Sequence, residues 1–189
     1  MIRREVWYFD RTGPENTDAC LEILARAQAE GYKYFVVAST TGDTGVKAAR
    51  LLAGKNINLV IVGHSVGFKG PNIDEFKEDN YRQIWALGVP VYRGTILTHS
   101  LETSLAEQFK GSAPTLLIAN TLRRLGQGMK VCCEIVMEAV DAGLIPEGAE
   151  VVAMAGTAWG ADTVALLRSA ASKRFLDLTV LEIWAKPRG

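Results

Sequence analysis

The sequence predicts an α/β fold of three layers, in which a mainly parallel central sheet lies between helices. Short β-forming runs, such as residues 35–37 and 58–62, alternate along the chain with longer stretches whose apolar residues recur at helical spacing. Phe35, Val36 and Val37 follow one another without a polar residue, as in strands that are buried on both faces. Alternation of strands and helices is typical of a parallel sheet with helical crossovers.

The individual elements follow from the same patterns and from their stop signals. Asn16 or Thr17 is a suitable N-cap for the first helix, and Gly31 ends it. Pro187 ends the last strand. The predicted strands are 5–9, 35–37, 58–62, 89–92, 150–155, 163–167 and 178–184, of which the last two form an antiparallel edge. The predicted helices are 17–30, one around Val46 to Leu52, 74–87, 100–109, 114–125 and 129–142.

Length and charge favour one domain and do not indicate a nucleic-acid or membrane partner. A chain of 189 residues has the usual size of a single domain, which we assign to residues 1–189. Lysine plus arginine balances aspartate plus glutamate at 21 each, so no net charge favours nucleic acid or an anionic membrane. No apolar run approaches the roughly 20 residues of a membrane span. Because the first residues also lack a signal-peptide pattern, we expect a cytoplasmic protein.

Residues that would indicate a metal site or a nucleophile are scarce. His64 and His99 are the only histidines, and there is no Cys/His cluster, HExxH motif or GxSxG elbow. We therefore predict no metal site. Cys20, Cys132 and Cys133 form no CxxC pair and are interpreted as buried thiols, although a ligand contact by one of the last two stays open.

A hydroxyl-rich loop follows the strand at 35–37 and precedes a helix. It consists of Ser39, Thr40, Thr41, Gly42, Asp43 and Thr44. A helix N-terminus leaves backbone N–H groups unpaired and attracts anions, and a glycine lets the backbone approach a phosphate oxygen or adopt a positive φ. The pattern favours a phosphate site. The alternative is that Thr41, Asp43 or Thr44 only caps the helix.

The loop resembles the effector-phosphate loop of the pyruvate kinase C-terminal domain, through Ser39, Thr40, Thr41, Gly42 and Thr44. Three further segments resemble that family in order, and these are residues 58–63, 82–92 and 143–156. Asp43 departs from the pattern, since a carboxylate repels phosphate. We expect it to point away as a cap, with Lys47 offsetting its charge.

The resemblance implies that the loops after the strands form one ligand site, as is usual at the carboxyl ends of parallel strands. Trp159 could stack on a planar ring or pack on the neighbouring helix. Lys130, at the start of the helix at 129–142, could be a second anion contact, or that helix could be plainly amphipathic. The further candidate ligand residues are His64, Ser65, Gly67, Phe68, Thr95, Gly156, Thr157 and Gly160.

Two segments do not fit the family pattern or a known fingerprint. Residues 99–127 have no matching counterpart and are interpreted as a helical insertion, either a cover over the site or a contact in a homo-oligomer. Residues 126–131 look like a dinucleotide fingerprint, but the last position is Val131 and no strand precedes it.

Pyruvate kinase performs its chemistry in a separate (β/α)₈ barrel. No segment of this sequence resembles that barrel, so we do not expect pyruvate kinase catalysis. Stand-alone proteins resembling this domain are associated with FMN, so the resemblance favours an FMN-binding protein, which could be a flavin-dependent oxidoreductase. The alternative is a non-catalytic sensor or regulatory protein for a sugar phosphate or a nucleotide.

Overall fold

The computed structural model describes the whole chain, Met1–Gly189, as seven strands and six α-helices. The strands are β1 (Trp7–Phe9), β2 (Tyr34–Ala38), β3 (Asn58–His64), β4 (Val91–Gly94), β5 (Glu150–Ala155), β6 (Thr163–Arg168) and β7 (Thr179–Pro187). The helices are α1 (Thr17–Ala29), α2 (Asp43–Leu52), α3 (Glu78–Ala86), α4 (Leu101–Phe109), α5 (Pro114–Leu122) and α6 (Gln127–Asp141). Short 3₁₀ helices occupy Pro14–Asn16, Arg123–Leu125 and Ser172–Asp177.

All seven strands belong to one sheet, in the order β1-β7-β6-β5-β2-β3-β4. The pairs β2/β3, β2/β5, β3/β4 and β1/β7 are parallel, whereas β5/β6 and β6/β7 are antiparallel. The predicted α/β class with a mainly parallel sheet is confirmed. Because β2, β3 and β5 run side by side in the same direction, the loops after these strands lie at the same edge of the sheet.

Helices cover both faces of the sheet and create two separate cores. Phe35 and Val37 of β2 pack on one face with α1 and α2, while Val36, between them, packs on the other face with α6. This alternation follows from the two-residue period of a strand. Full burial of a side chain such as Phe35 contributes about 1.5–3 kcal/mol to folding. None of the helices is long and apolar enough to cross a membrane.

The predicted antiparallel edge is wrong in one respect. Strands β6 and β7 are antiparallel, but the edge strand is β1, which pairs in parallel with β7 through Trp7 opposite Ala185 and Phe9 opposite Pro187. A further bond from Arg188 N–H to the Phe9 carbonyl, 3.0 Å long, extends this pairing beyond the strand. This contact joins the two ends of the chain and has no local sequence signal.

Several helix boundaries also differ from the predicted ones. Helix α2 begins at Asp43, so Asp43 and Thr44 form its first turn. Helix α3 begins at Glu78 instead of residue 74, because Asp74 accepts a bond from the Phe76 N–H in a local turn, which buries the Phe76 ring. Helix α6 begins after Gly126, and Gly128 lies within its first turn, against Thr163.

Gly42 immediately precedes α2 and has a φ of 90°, as the predicted turn requires. Its missing side chain serves packing within the protein, because a Cβ there would lie 2.6 Å from the Asn80 Cβ and 2.7 Å from the Phe76 ring. Gly42 does not line the cavity described below. The glycine is therefore required by the close contact with the start of α3, and an approach of its backbone to a ligand stays a prediction.

We expect Gly42→Ala to destabilise the protein more than Gly54→Ala. Both glycines have positive φ values, which an alanine adopts at a cost of about 1–2 kcal/mol, but nothing lies within 4 Å of a Cβ at Gly54. Overpacking against Phe76 adds about 1–3 kcal/mol at Gly42. Urea unfolding of both variants measures the difference, and equal losses would contradict the packing role.

Candidate functional site

A cavity of about 480 Å³ opens at the carboxyl ends of β2 and β3. One wall is the loop between β2 and α2, and the opposite side is formed by α6. The loop after β5 and residues beyond β4 complete it, the latter including Ile96 and His99. The cavity therefore lies where parallel strands end, which is the usual ligand position in such sheets.

The loop between β2 and α2 presents a run of free backbone donors to this region. The N–H groups of residues 40–44 donate no hydrogen bond within the chain, whereas the Gly45 N–H donates to the Ser39 Oγ at 3.0 Å. Ser39 is buried, so its hydroxyl fixes the loop from inside. Free N–H groups at a helix start attract anions, and the helix dipole adds partial positive charge there.

The hydroxyl groups of this loop have different environments. The Thr41 Oγ1 donates to the Asp43 carboxylate at 2.8 Å, so this hydroxyl is engaged within the loop. No hydrogen bond within the chain uses the hydroxyls of Thr40 and Thr44, and both residues line the cavity. Thr40 and Thr44 are therefore the two threonines of the loop whose hydroxyls are available to a ligand.

Asp43 is neutralised by residues that the sequence analysis did not identify. Its carboxylate accepts bonds from the Lys77 Nζ at 2.8 Å and from the Asn80 Nδ2 at 2.8 Å. The hydrogen bond from Lys77 is the largest reason why the pKa of Asp43 is lowered to about 2. Lys47, the predicted partner, instead pairs with Asp18 at 2.8 Å. The expectation for Lys47 is wrong because Lys77 reaches Asp43 from the start of α3.

The loop after β3 contributes His64 and Phe68 to the cavity wall. The His64 Nδ1 lies 2.9 Å from the Glu75 Oε2, and its ring centroid lies 4.8 Å from that of Phe68. Ser65 and Gly67 do not line the cavity. Both belong to the turn: the Ser65 carbonyl accepts from the Phe68 N–H, and the Gly67 N–H donates to the Ile73 carbonyl.

The loop after β5 supplies Gly156, Trp159 and Gly160 to the cavity wall. Trp159 is 54% exposed, so its ring is not buried against a helix. Thr157 does not line the cavity, and its N–H donates to the buried Asp162 carboxylate at 3.1 Å. Thr95, after β4, is exposed and also lies outside the cavity wall. The structure thus brings together most of the predicted ligand residues but not Gly42, Ser65, Gly67, Thr95 and Thr157.

Helix α6 places three charged side chains along the cavity, at Lys130, Glu134 and Glu138. All three are buried, with exposed fractions of 3%, 4% and 4%. Lys130 forms an ion pair with Glu134, so the predicted free anion contact at Lys130 is instead neutralised by its own helix. The other Glu134 oxygen accepts bonds from the Thr98 N–H and Oγ1, each 2.8 Å long.

The sequence analysis missed Glu134 and Glu138. The available signal was their spacing, since residues four apart on a helix lie on one face, and here that face carries charge on an otherwise apolar helix. The thiols of Cys20, Cys132 and Cys133 are buried, lie outside the cavity wall and have pKa values raised by burial. No cluster of three or more histidine, cysteine, aspartate and glutamate side chains is arranged to hold a metal ion.

Burial, followed by the nearby Glu134 carboxylate, raises the pKa of Glu138 to about 8. A carboxyl whose pKa is higher in the folded than in the unfolded state stabilises the protein at low pH, and this stabilisation is lost as the pH rises towards 8. We therefore expect the melting temperature of the natural protein to fall more between pH 5 and pH 9 than that of Glu138→Gln. Thermal unfolding across this range measures the difference, with Glu150→Gln on an exposed strand end as a control. If the melting temperatures of the natural protein and of Glu138→Gln changed with pH in the same way, the raised pKa of Glu138 would be contradicted.

No protein-family model matches the chain. Among solved structures, two of pyruvate kinase from Cryptosporidium parvum align with 80% of this chain, at 14% and 13% identity and TM-scores of 0.39 and 0.37. A structure of O-ureido-L-serine synthase aligns with 52% of it, at 20% identity and a TM-score of 0.32. The chain spans 23%, 22% and 31% of these proteins, respectively. At these identities the alignments concern the chain fold alone.

Proposed function

We propose that the cavity binds a phosphorylated small molecule and that FMN is this ligand. The observation that carries the proposal is the run of free backbone N–H groups at residues 40–44, beside the start of α2. The Thr40 and Thr44 hydroxyls add neutral donors next to them. Hydrogen bonds to a charged acceptor contribute about 1.5–3 kcal/mol each, which is enough for several of them to select a phosphate.

The repulsion expected from Asp43 is offset within the loop. Its carboxylate is saturated by Lys77, Asn80 and Thr41, so its charge is compensated on the side of α3. The helix dipole of α2 remains available at the free N–H groups. A phosphate therefore meets a positive local potential, although the loop contains an acidic residue.

The remainder of the cavity suits a planar ring. Trp159 is half exposed at its rim, and the His64 and Phe68 rings lie on another part of the wall. Aromatic side chains favour offset stacking on flat ligands. The cavity volume of about 480 Å³ falls within the range of small-molecule sites. If FMN is held here, the flavin supplies redox chemistry and the chain orients it and excludes water, as in a flavin-dependent oxidoreductase.

We expect Thr44→Val to weaken FMN binding about tenfold or more, because it removes a hydroxyl donor to a charged phosphate. Thr95→Val is the matched control, since Thr95 is exposed and lies outside the cavity wall. This variant should bind FMN as tightly as the natural protein does. Quenching of FMN fluorescence measures both, and riboflavin, which lacks the phosphate, should bind far more weakly than FMN. Equal affinities for FMN and riboflavin would contradict the phosphate site.

One observation favours the second candidate, a sensor of a phosphorylated metabolite. A hydrogen-bonded chain runs from Glu134 through Thr98 and His99 to Arg123, and so joins the cavity to the segment that carries α4 and α5. Glu134, His99 and Arg123 all line the cavity, so a ligand bound there is within reach of this chain along most of its length. The two functions differ in a simple measurement: a flavoprotein releases FMN on denaturation, whereas a sensor is colourless and its melting temperature rises with sugar phosphates.

A further inference from the structure

The cavity contains one buried carboxyl group that the phosphate site does not use. Glu138 is only 4% exposed and lines the cavity, yet no hydrogen bond or ion pair within the chain engages its side chain. Most buried polar side chains in proteins have a hydrogen-bond partner. An unpaired carboxyl that faces a cavity is therefore free to bind a ligand group.

The groups around Glu138 determine what it can bind. On α6 these are Lys130, Glu134 and Asp141, and from β4 the Tyr92 phenol lies close enough to interact with Glu138. His99 reaches the Lys130–Glu134 pair from the segment after β4, and the pKa of His99 is lowered, chiefly by burial. Lys130 and Glu134 neutralise each other in their ion pair. Neither of them therefore offers a net charge to a ligand group at Glu138.

A neutral ligand group fits this surrounding best. Burial and Glu134 raise the pKa of Glu138 to about 8, which favours the protonated side chain at neutral pH. A protonated carboxyl presents an O–H donor beside a C=O acceptor. Its complement is a group with an acceptor beside a donor, and the edge of an amide or an imide has this arrangement.

We propose that Glu138 is a specificity-determining residue that recognises an amide or imide edge of the ligand whose phosphate lies at residues 40–44. The inference rests on the proposed phosphate site and adds a second recognition point to it. Glu138 and the loop residues Thr40 and Thr44 line the same cavity, so one ligand in it can meet both recognition points. FMN and UMP carry an imide and a phosphate, whereas ribose 5-phosphate has the phosphate alone.

Calorimetric titration of these three compounds tests the inference on the natural protein, Glu138→Ala and Glu138→Gln. We expect the natural protein to bind FMN and UMP at least tenfold more tightly than ribose 5-phosphate. Glu138→Ala should lose this preference, and Glu138→Gln should keep it, because a carboxamide also presents a donor beside an acceptor. Glu138→Gln also controls for a folding defect in Glu138→Ala, because glutamine keeps the shape of the glutamate side chain.

The pH dependence provides a second readout. Between about pH 7 and pH 9 the natural protein should lose about tenfold in FMN affinity as Glu138 loses its proton, and Glu138→Gln should not. If the natural protein and Glu138→Ala bind all three compounds equally, the inference is wrong and the phosphate site stands. If none of the three binds to the natural protein, the proposed function and this inference are both wrong.

Discussion

The hydrogen bond from the Gly45 N–H to the Ser39 Oγ closes the connection between β2 and α2, and the candidate site depends on it. It fixes the loop from the buried side and leaves the N–H groups of residues 40–44 free. On the outer side, Lys77 and Asn80 hold Asp43. The loop is thus held from within and from α3, so its free donors are positioned before any ligand arrives, which lowers the entropy cost of binding.

The parallel sheet brings the other parts of the site to this loop. Because β2, β3 and β5 end at one edge, His64 and Trp159 reach the same cavity although they are distant in the chain. Helix α6 adds Glu134 and Glu138 to the wall of the same cavity as the loop between β2 and α2. The cavity therefore has free backbone donors at the start of α2 and buried carboxyl groups on α6, and the proposed ligand, with a phosphate and an uncharged polar head, is matched to both.

Features with a local cause were predictable from the sequence, and features that depend on distant contacts were not. The strand, the hydroxyl loop and the helix at residues 35–52 follow from a continuous pattern, and the structure has them. The pairing of β1 with β7 joins opposite ends of the chain and left no pattern. Lys77 replaces Lys47 at Asp43 because α3 packs against the loop, which no spacing indicates. Glu138 was missed because an apolar helix face was considered only as core, although its charges recur at helical spacing.

The free backbone donors at residues 40–44 are the central claim, and amide NMR tests them most directly. Titration of the ¹⁵N-labelled protein with FMN should shift the amide protons of these residues downfield, as expected when they donate to a phosphate. The amides of Gly45 and Val46, which already donate within the chain, should shift far less. Binding of FMN that leaves the amides of residues 40–44 unchanged would contradict the account.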